Sequence, residues 1–252
     1  MKTFNAVLFT LIIGFLMACS DGANDVADIM DPDADQEIPA VYEKIYGASR
    51  LMLDGDFIVI KTTGMPDHKS VYYPTTSDLY EPFSGTTFEG YTFQKNPNTI
   101  ASFDYTFRIP LNPEKADRHA PTPLGAIGVS LNGVPFFNQY AGPNQPLTDE
   151  YKSFDQYLGH PTGNGTFHYH VEPTYLTTVT AYKSALLGFL LDGFPVYGPE
   201  ENGAAVENLD EFHGHSHVTA DFPEGIYHYH VTNEAPYING NGFYGQAGTV
   251  SQ

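Results

Sequence analysis

The chain has 252 residues, with 30 acids against 11 bases, a net charge of −19 at pH 7 and only 16% charged residues. One cysteine excludes an internal disulfide framework, a cysteine-based zinc finger and an iron–sulfur site. Eleven bases without a basic run argue against nucleic acid as a partner, because phosphate binding needs Lys and Arg.

In chain order, Met1-Lys2 gives a small positive start and residues 6–17 are almost wholly apolar, too short a stretch to span a bilayer and suited to a signal-peptide core. It ends in Leu16-Met17-Ala18-Cys19, which resembles a bacterial lipobox. Residues 1–18 are thus expected to be a lipoprotein signal and Cys19 the lipid attachment point, anchoring the chain to a membrane of the cell envelope. Residues 19–40 carry seven acids (from Asp21 to Glu37) and no base, and read as a solvated tether; they lack the spacing and turn glycine of a calcium loop. The folded part is expected over 41–252 as one domain.

That part is rich in Tyr, Phe, Gly and Pro, which favours strands separated by turns. Phe57-Ile58-Val59-Ile60-Lys61 reads as a strand, and residues 103–109 alternate with period 2. A helical turn is expected near 112–118, and little other helix. Gly128-Val129-Ser130-Leu131-Asn132-Gly133-Val134-Pro135 returns 60 residues later as Gly188-Phe189-Leu190-Leu191-Asp192-Gly193-Phe194-Pro195, each with an Asx-Gly hairpin signal between apolar runs. The same offset carries Phe167-His168-Tyr169-His170-Val171 onto Tyr227-His228-Tyr229-His230-Val231. Between them, Asp155 with Gly159-His160 maps onto Asp210 with Gly214-His215 at an offset of 55. The fold class is therefore mainly β: antiparallel sheets, sandwich- or barrel-like, built from a two-fold repeat near 124–176 and 185–237.

Alternate residues of a strand share a face, so His168 and His170 point one way and Phe167, Tyr169 and Val171 the other. His228 and His230 repeat the pattern. Two such imidazoles can bind one ion if a third ligand arrives, and His160 and His215 are the obvious third ligands. Asp155 and Asp210 are expected to orient an imidazole from outside the first shell. Three histidines suit Zn or Cu rather than Mg or Ca. His213 and His217 are expected to fringe the site or sit in a mobile loop rather than form a third site, and His119 to lie on the surface.

The Tyr-His-Tyr-His pattern, intact at Tyr227–His230 and with Phe167 for the first Tyr in the other copy, resembles the YHYH-domain proteins. So do Gly64-Met65-Pro66-Asp67-His68, residues 128–137, 187–199 and 209–215. The resemblance adds His68 as a possible further ligand. It also implies that cysteines found in many members are replaced here by Tyr157, Tyr175 and Phe212, with aromatic packing in place of disulfides. It implies no particular reaction. Two functions follow from the residues: a metal-binding envelope lipoprotein, or a metal-dependent hydrolase with Glu172, Glu224, Asp155 or Asp210 as the available bases. A third is a metal-free, Tyr-rich module for glycans. No protein partner can be named.

Overall fold

A computed structural model describes residues 37–240 and 242–252. The expected signal segment, Cys19 and the acidic stretch to residue 36 lie outside the described residues. The chain enters with a one-turn helix, α1 (Ala40–Glu43), whose Tyr42 packs on Phe189 at 4.7 Å between ring centroids. β1 (Ala48–Asp54), β2 (Phe57–Thr62) and β3 (Tyr105–Pro110) follow, and with the last strand, β16 (Thr249–Ser251), make an antiparallel sheet in the order β1-β2-β3-β16. The expected period of 2 holds in β3: Tyr105, Phe107 and Ile109 are buried and the residues between are not.

The repeat builds the second sheet. The first copy supplies β4 (Ala126–Ser130), β5 (Pro135–Phe137), the small hairpin β6 (Tyr140–Ala141) and β7 (Gln145–Pro146), then β8 (Gly159–Pro161) and β9 (Phe167–Tyr169). After a short helix, α2 (Thr174–Thr178), the second copy supplies β10 (Leu186–Leu190), β11 (Pro195–Tyr197), the hairpin β12 (Glu200–Glu201) and β13 (Ala204–Ala205), then β14 (Gly214–His217) and β15 (Ile226–His230). Eight of these strands run in the order β14-β15-β11-β10-β4-β5-β9-β8, a sequence that reads the same from either end once the copies are exchanged. The two-fold axis passes between β4 and β10, where the equivalent residues Val129 and Phe189 are directly paired. Their neighbours Gly128 and Gly188 are equivalent too. A Cβ on Gly128 would lie 2.4 Å from the Phe189 carbonyl oxygen, so the seam between copies closes only on glycine.

The sheet is not wholly antiparallel. β5 pairs with β9, and β11 with β15, in parallel, because a crossover of about thirty residues separates each pair and returns the chain in the same direction. The Asx-Gly hairpins form, and in each only the glycine takes a positive φ (82° at Gly133, 85° at Gly193). The helical turn expected near 112–118 is absent. Lys115 instead bridges Gly245, and the Ala116 amide donates to the Tyr244 carbonyl at 3.0 Å, so this segment spends its backbone on the C-terminal strap. One apolar cluster joins the two sheets, with Ile58, Ile60 and Phe107 from the smaller and Ile127, Phe136 and Phe189 from the larger.

The tyrosines of the repeated strands hold the sheet to its hairpins. Tyr229 donates to the buried Asp192 carboxylate at 2.6 Å and accepts from the Tyr244 amide at 2.7 Å. Its equivalent, Tyr169, accepts from the Asn132 amide group at 3.2 Å. Removing the hydroxyl in Tyr229→Phe strips a buried carboxylate of a donor and leaves an amide unpaired, and should cost about 2 kcal/mol in urea unfolding. Tyr182→Phe, at a ring 65% exposed, should leave the midpoint unchanged.

Candidate metal centres

Each His-x-His strand has an antiparallel neighbour at the sheet edge, and that neighbour supplies the third imidazole: His160 sits opposite His168, and His215 opposite His228. The glycine before each is a steric requirement. A Cβ on Gly159 would come within 2.4 Å of the Phe167 ring, and one on Gly214 within 2.5 Å of the Tyr227 hydroxyl.

In the N-terminal centre the Nε2 atom of His168 lies 3.1 Å from that of His160 and 2.9 Å from that of His170. The opposite nitrogens fix the tautomers. A carbonyl can only accept, so His168 Nδ1–H donates to Thr166 at 3.0 Å and His170 Nδ1–H to Asn138 at 2.6 Å. His160 Nδ1–H donates at 2.7 Å to Ser153 Oγ, whose own proton goes to the Glu150 carbonyl. A neutral imidazole has one N–H, so all three Nε2 atoms present lone pairs to one another with no proton to share. A cation resolves this repulsion. Two nitrogens 2.0–2.1 Å from a tetrahedral ion stand about 3.3 Å apart, close to the spacing found. All three rings are buried. Burial, with the neighbouring imidazoles adding to it, holds His160 and His168 well below the usual histidine range; burial holds His170 at about 4.

The C-terminal centre repeats this design and adds a carboxylate. His228 Nδ1–H donates to Ile226 at 3.0 Å and His230 Nδ1–H to Gly198 at 2.7 Å, the carbonyls equivalent to Thr166 and Asn138. His215 and His230 bring their Nε2 atoms to 3.2 Å. The Nε2 atom of His228 is buried with no hydrogen-bond partner, which leaves a lone pair aimed at the cluster and otherwise uncompensated. Glu201 Oε1 lies 3.2 Å from His215 and His230 and 3.6 Å from His228. Desolvation works to raise the Glu201 carboxyl, but the His217 hydrogen bond and the charges of His230, His215 and His217 outweigh it and bring it to about 2. Both groups, His160/His168/His170 and Glu201/His215/His228/His230, have their donor atoms within 4.8 Å of one another and could hold a metal ion. They belong to opposite edges of one sheet, with their His-x-His strands β15 and β9 five strand spacings of about 4.8 Å apart.

Several expected residues fall elsewhere. Asp155 and Asp210 touch no imidazole in either trio. Each caps the turn ahead of the Gly-His pair, Asp155 accepting from the Tyr157 and Gly159 amides and Asp210 from those of Phe212 and Gly214, so they aim the third ligand through its backbone. Asp210 also accepts from Tyr227 at 2.8 Å; where the other copy has Phe167, the Ser70 hydroxyl serves Asp155 instead. His68 is on the tyrosine face, with Nδ1–H on the Lys69 carbonyl and Nε2 accepting from Tyr169 at 2.9 Å, so both nitrogens are spent and neither can ligate. Tyr157 and Tyr175 pack on each other at 5.1 Å and on His68, aromatic packing of the expected kind. Phe212 packs instead on His119 at 4.2 Å, which makes His119 half-buried rather than a surface residue. Glu172 is buried against Lys183 and Thr177, and Glu224 is exposed, so neither serves as a base at a centre. His217 joins the C-terminal cluster at its mouth, 2.6 Å from Glu201, while His213 turns to Thr232.

The residue that sequence reasoning missed is Glu201. Its signal was Asn202-Gly203, an Asx-Gly hairpin with both residues at positive φ (51° and 79°), which folds β12 back over the histidines.

The decisive pattern is the duplicated strand with hydroxyls locked inward and imidazoles converging outward, and a family model described as YHYH protein matches residues 106–205 and 200–243. The chain belongs to the YHYH family. The match covers both metal-competent groups and leaves the Gly64–His68 segment outside it. No curated protein and no solved structure matches the chain significantly.

The buried imidazoles also set an acid limit. His170, His228 and His213 titrate near 4 when folded against 6.5 in the unfolded chain, so the unfolded state takes up protons first as pH falls. Asp192, which burial raises to about 6, works the other way and gains stability as pH drops below that value, as do Asp155 and Glu150, whose carboxyls burial also raises, but these three acids stand against six histidines held below their usual range. The metal-free protein should therefore lose urea stability steadily between about pH 6.5 and 4. A flat profile across that window would show that the imidazoles are not buried as neutral rings.

Proposed function

We propose that this YHYH protein is an envelope lipoprotein that binds transition metal ions, Zn or Cu, at two separate histidine centres. The observation that supports this most strongly is the convergence of three unprotonated Nε2 atoms at 2.9–3.1 Å, their other nitrogens already committed to oxygen acceptors. Buried lone pairs held that close are costly without an ion, and the carbonyl partners pre-pay the orientation of each ring. Imidazole donors favour Zn and Cu over Mg and Ca. A binding role is preferred to hydrolysis because none of the acids expected to act as bases approaches the Nε2 side of either trio. The lipid anchor rests on Leu16-Met17-Ala18-Cys19.

Purified protein lacking the signal and tether should take up two Zn or Cu ions per chain by elemental analysis and calorimetry. His168→Ala with His170→Ala should remove one ion, and His228→Ala with His230→Ala the other. Uptake of no metal by the parent protein would end this reading. In cells, Cys19→Ala should move the protein from the membrane fraction to the soluble one; an unchanged membrane fraction would argue against the lipid anchor.

A further inference from the structure

Two equivalent positions set the donor clusters of the two centres apart. Glu201 of β12 corresponds, at the offset of 60, to Ala141 of β6. His217 corresponds, at the offset of 55 that relates His215 to His160, to Thr162. In the C-terminal copy a carboxylate and an extra imidazole therefore reach the donor cluster, and both line the 470 Å³ cavity beside it. In the N-terminal copy a methyl group and a hydroxyl stand in their places, on the wall of a larger cleft of 750 Å³ that His160, His168 and His170 also line. Among the described residues no carboxylate shares that donor cluster; Glu150, 3.4 Å from His160 Nδ1, meets the trio only on the opposite nitrogen.

We propose that the centres have divided their work: the C-terminal one is coordinatively closed by Glu201, whereas the N-terminal one keeps a position open to the cleft and there takes a neutral, hydroxyl-rich ligand of the carbohydrate class. This rests on the metal reading above. Three imidazoles leave a tetrahedral ion one vacant position, and three imidazoles with a carboxylate leave none. The cleft's chemistry selects the ligand. Its cation, Lys152, is paired with Asp149 at 2.8 Å, and Glu150 adds a further negative charge, so apart from the ion the cleft offers no free cation to hold the body of an anionic ligand. Gln94 lines the cleft with an amide and Tyr140, 40% exposed, with a phenol ring, the mixture that recognises hydroxyl-bearing rings.

The test uses Cu-loaded protein and azide, whose charge-transfer band reports an open copper position. One azide per two coppers is expected, lost when His160→Ala empties the N-terminal centre and retained in His215→Ala. Glu201→Ala should create a second azide site, and Ala141→Glu should abolish the first while copper content stays at two. Maltotriose, cellotriose or chitotriose should shift the azide titration to higher concentration; sulfate at matched ionic strength should not. Two azides or none in the parent protein overturns the division of work, as does an unchanged count in Glu201→Ala. Displacement by sulfate, or by none of the sugars, overturns the ligand class. Absence of bound copper sinks the metal reading itself, a separate and earlier failure. Circular dichroism of the four variants identifies any that misfold, and in that case the parent protein's azide count still decides.

Discussion

In both repeated strands every second side chain is committed to the interior, and a tyrosine hydroxyl does the fastening: Tyr169 to Asn132, Tyr229 to Asp192. Because a strand has a period of two, fixing the tyrosines fixes the histidines on the other face. A slip of one residue would bury imidazoles against the hairpin and turn phenols toward the edge strand. The Asx-Gly hairpin, the tyrosine and the histidine pair thus form one mechanical unit, in which the hairpin supplies the partner that sets the strand's parity.

The different offsets of the repeat acquire a physical meaning from this unit. Residues inside it keep the offset of 60, because strand pairings such as Phe136 with Tyr169 and Val196 with Tyr229 admit no insertion. The Asp-to-Gly-His turn keeps its own internal spacing at an offset of 55, so the second copy has five residues fewer before that turn and five more between it and the His-x-His strand. Ladder positions are conserved between the copies while the connections absorb the change. The same tolerance let the two β hairpins diverge, one ending in Ala141 and the other in Glu201.

Much of the fold and both histidine trios were legible in the sequence, because the repeat and the i, i+2 spacing are local patterns with one structural solution. The two parallel junctions were not, since nothing in a hairpin's residues says where a thirty-residue crossover returns. Asp155 and Asp210 lie near the ligands in sequence but not near their rings, because their carboxylates serve amides. His68, which only the family resemblance adds, serves a phenol on the opposite face. Glu201 was hidden because its reach to the histidines is set by a hairpin fold, not by spacing to any of them.

Each centre joins the outermost strand of the large sheet to the strand beside it: His160 lies on β8 and His215 on β14, the two edges. β8 is three residues long and has little backbone pairing to hold it. An ion shared between edge and neighbour would act there as a removable cross-link, in a domain whose described residues include no cysteine to make a permanent one. Taking the ion away would free two ragged edges whose unpaired amides and carbonyls can recruit another chain.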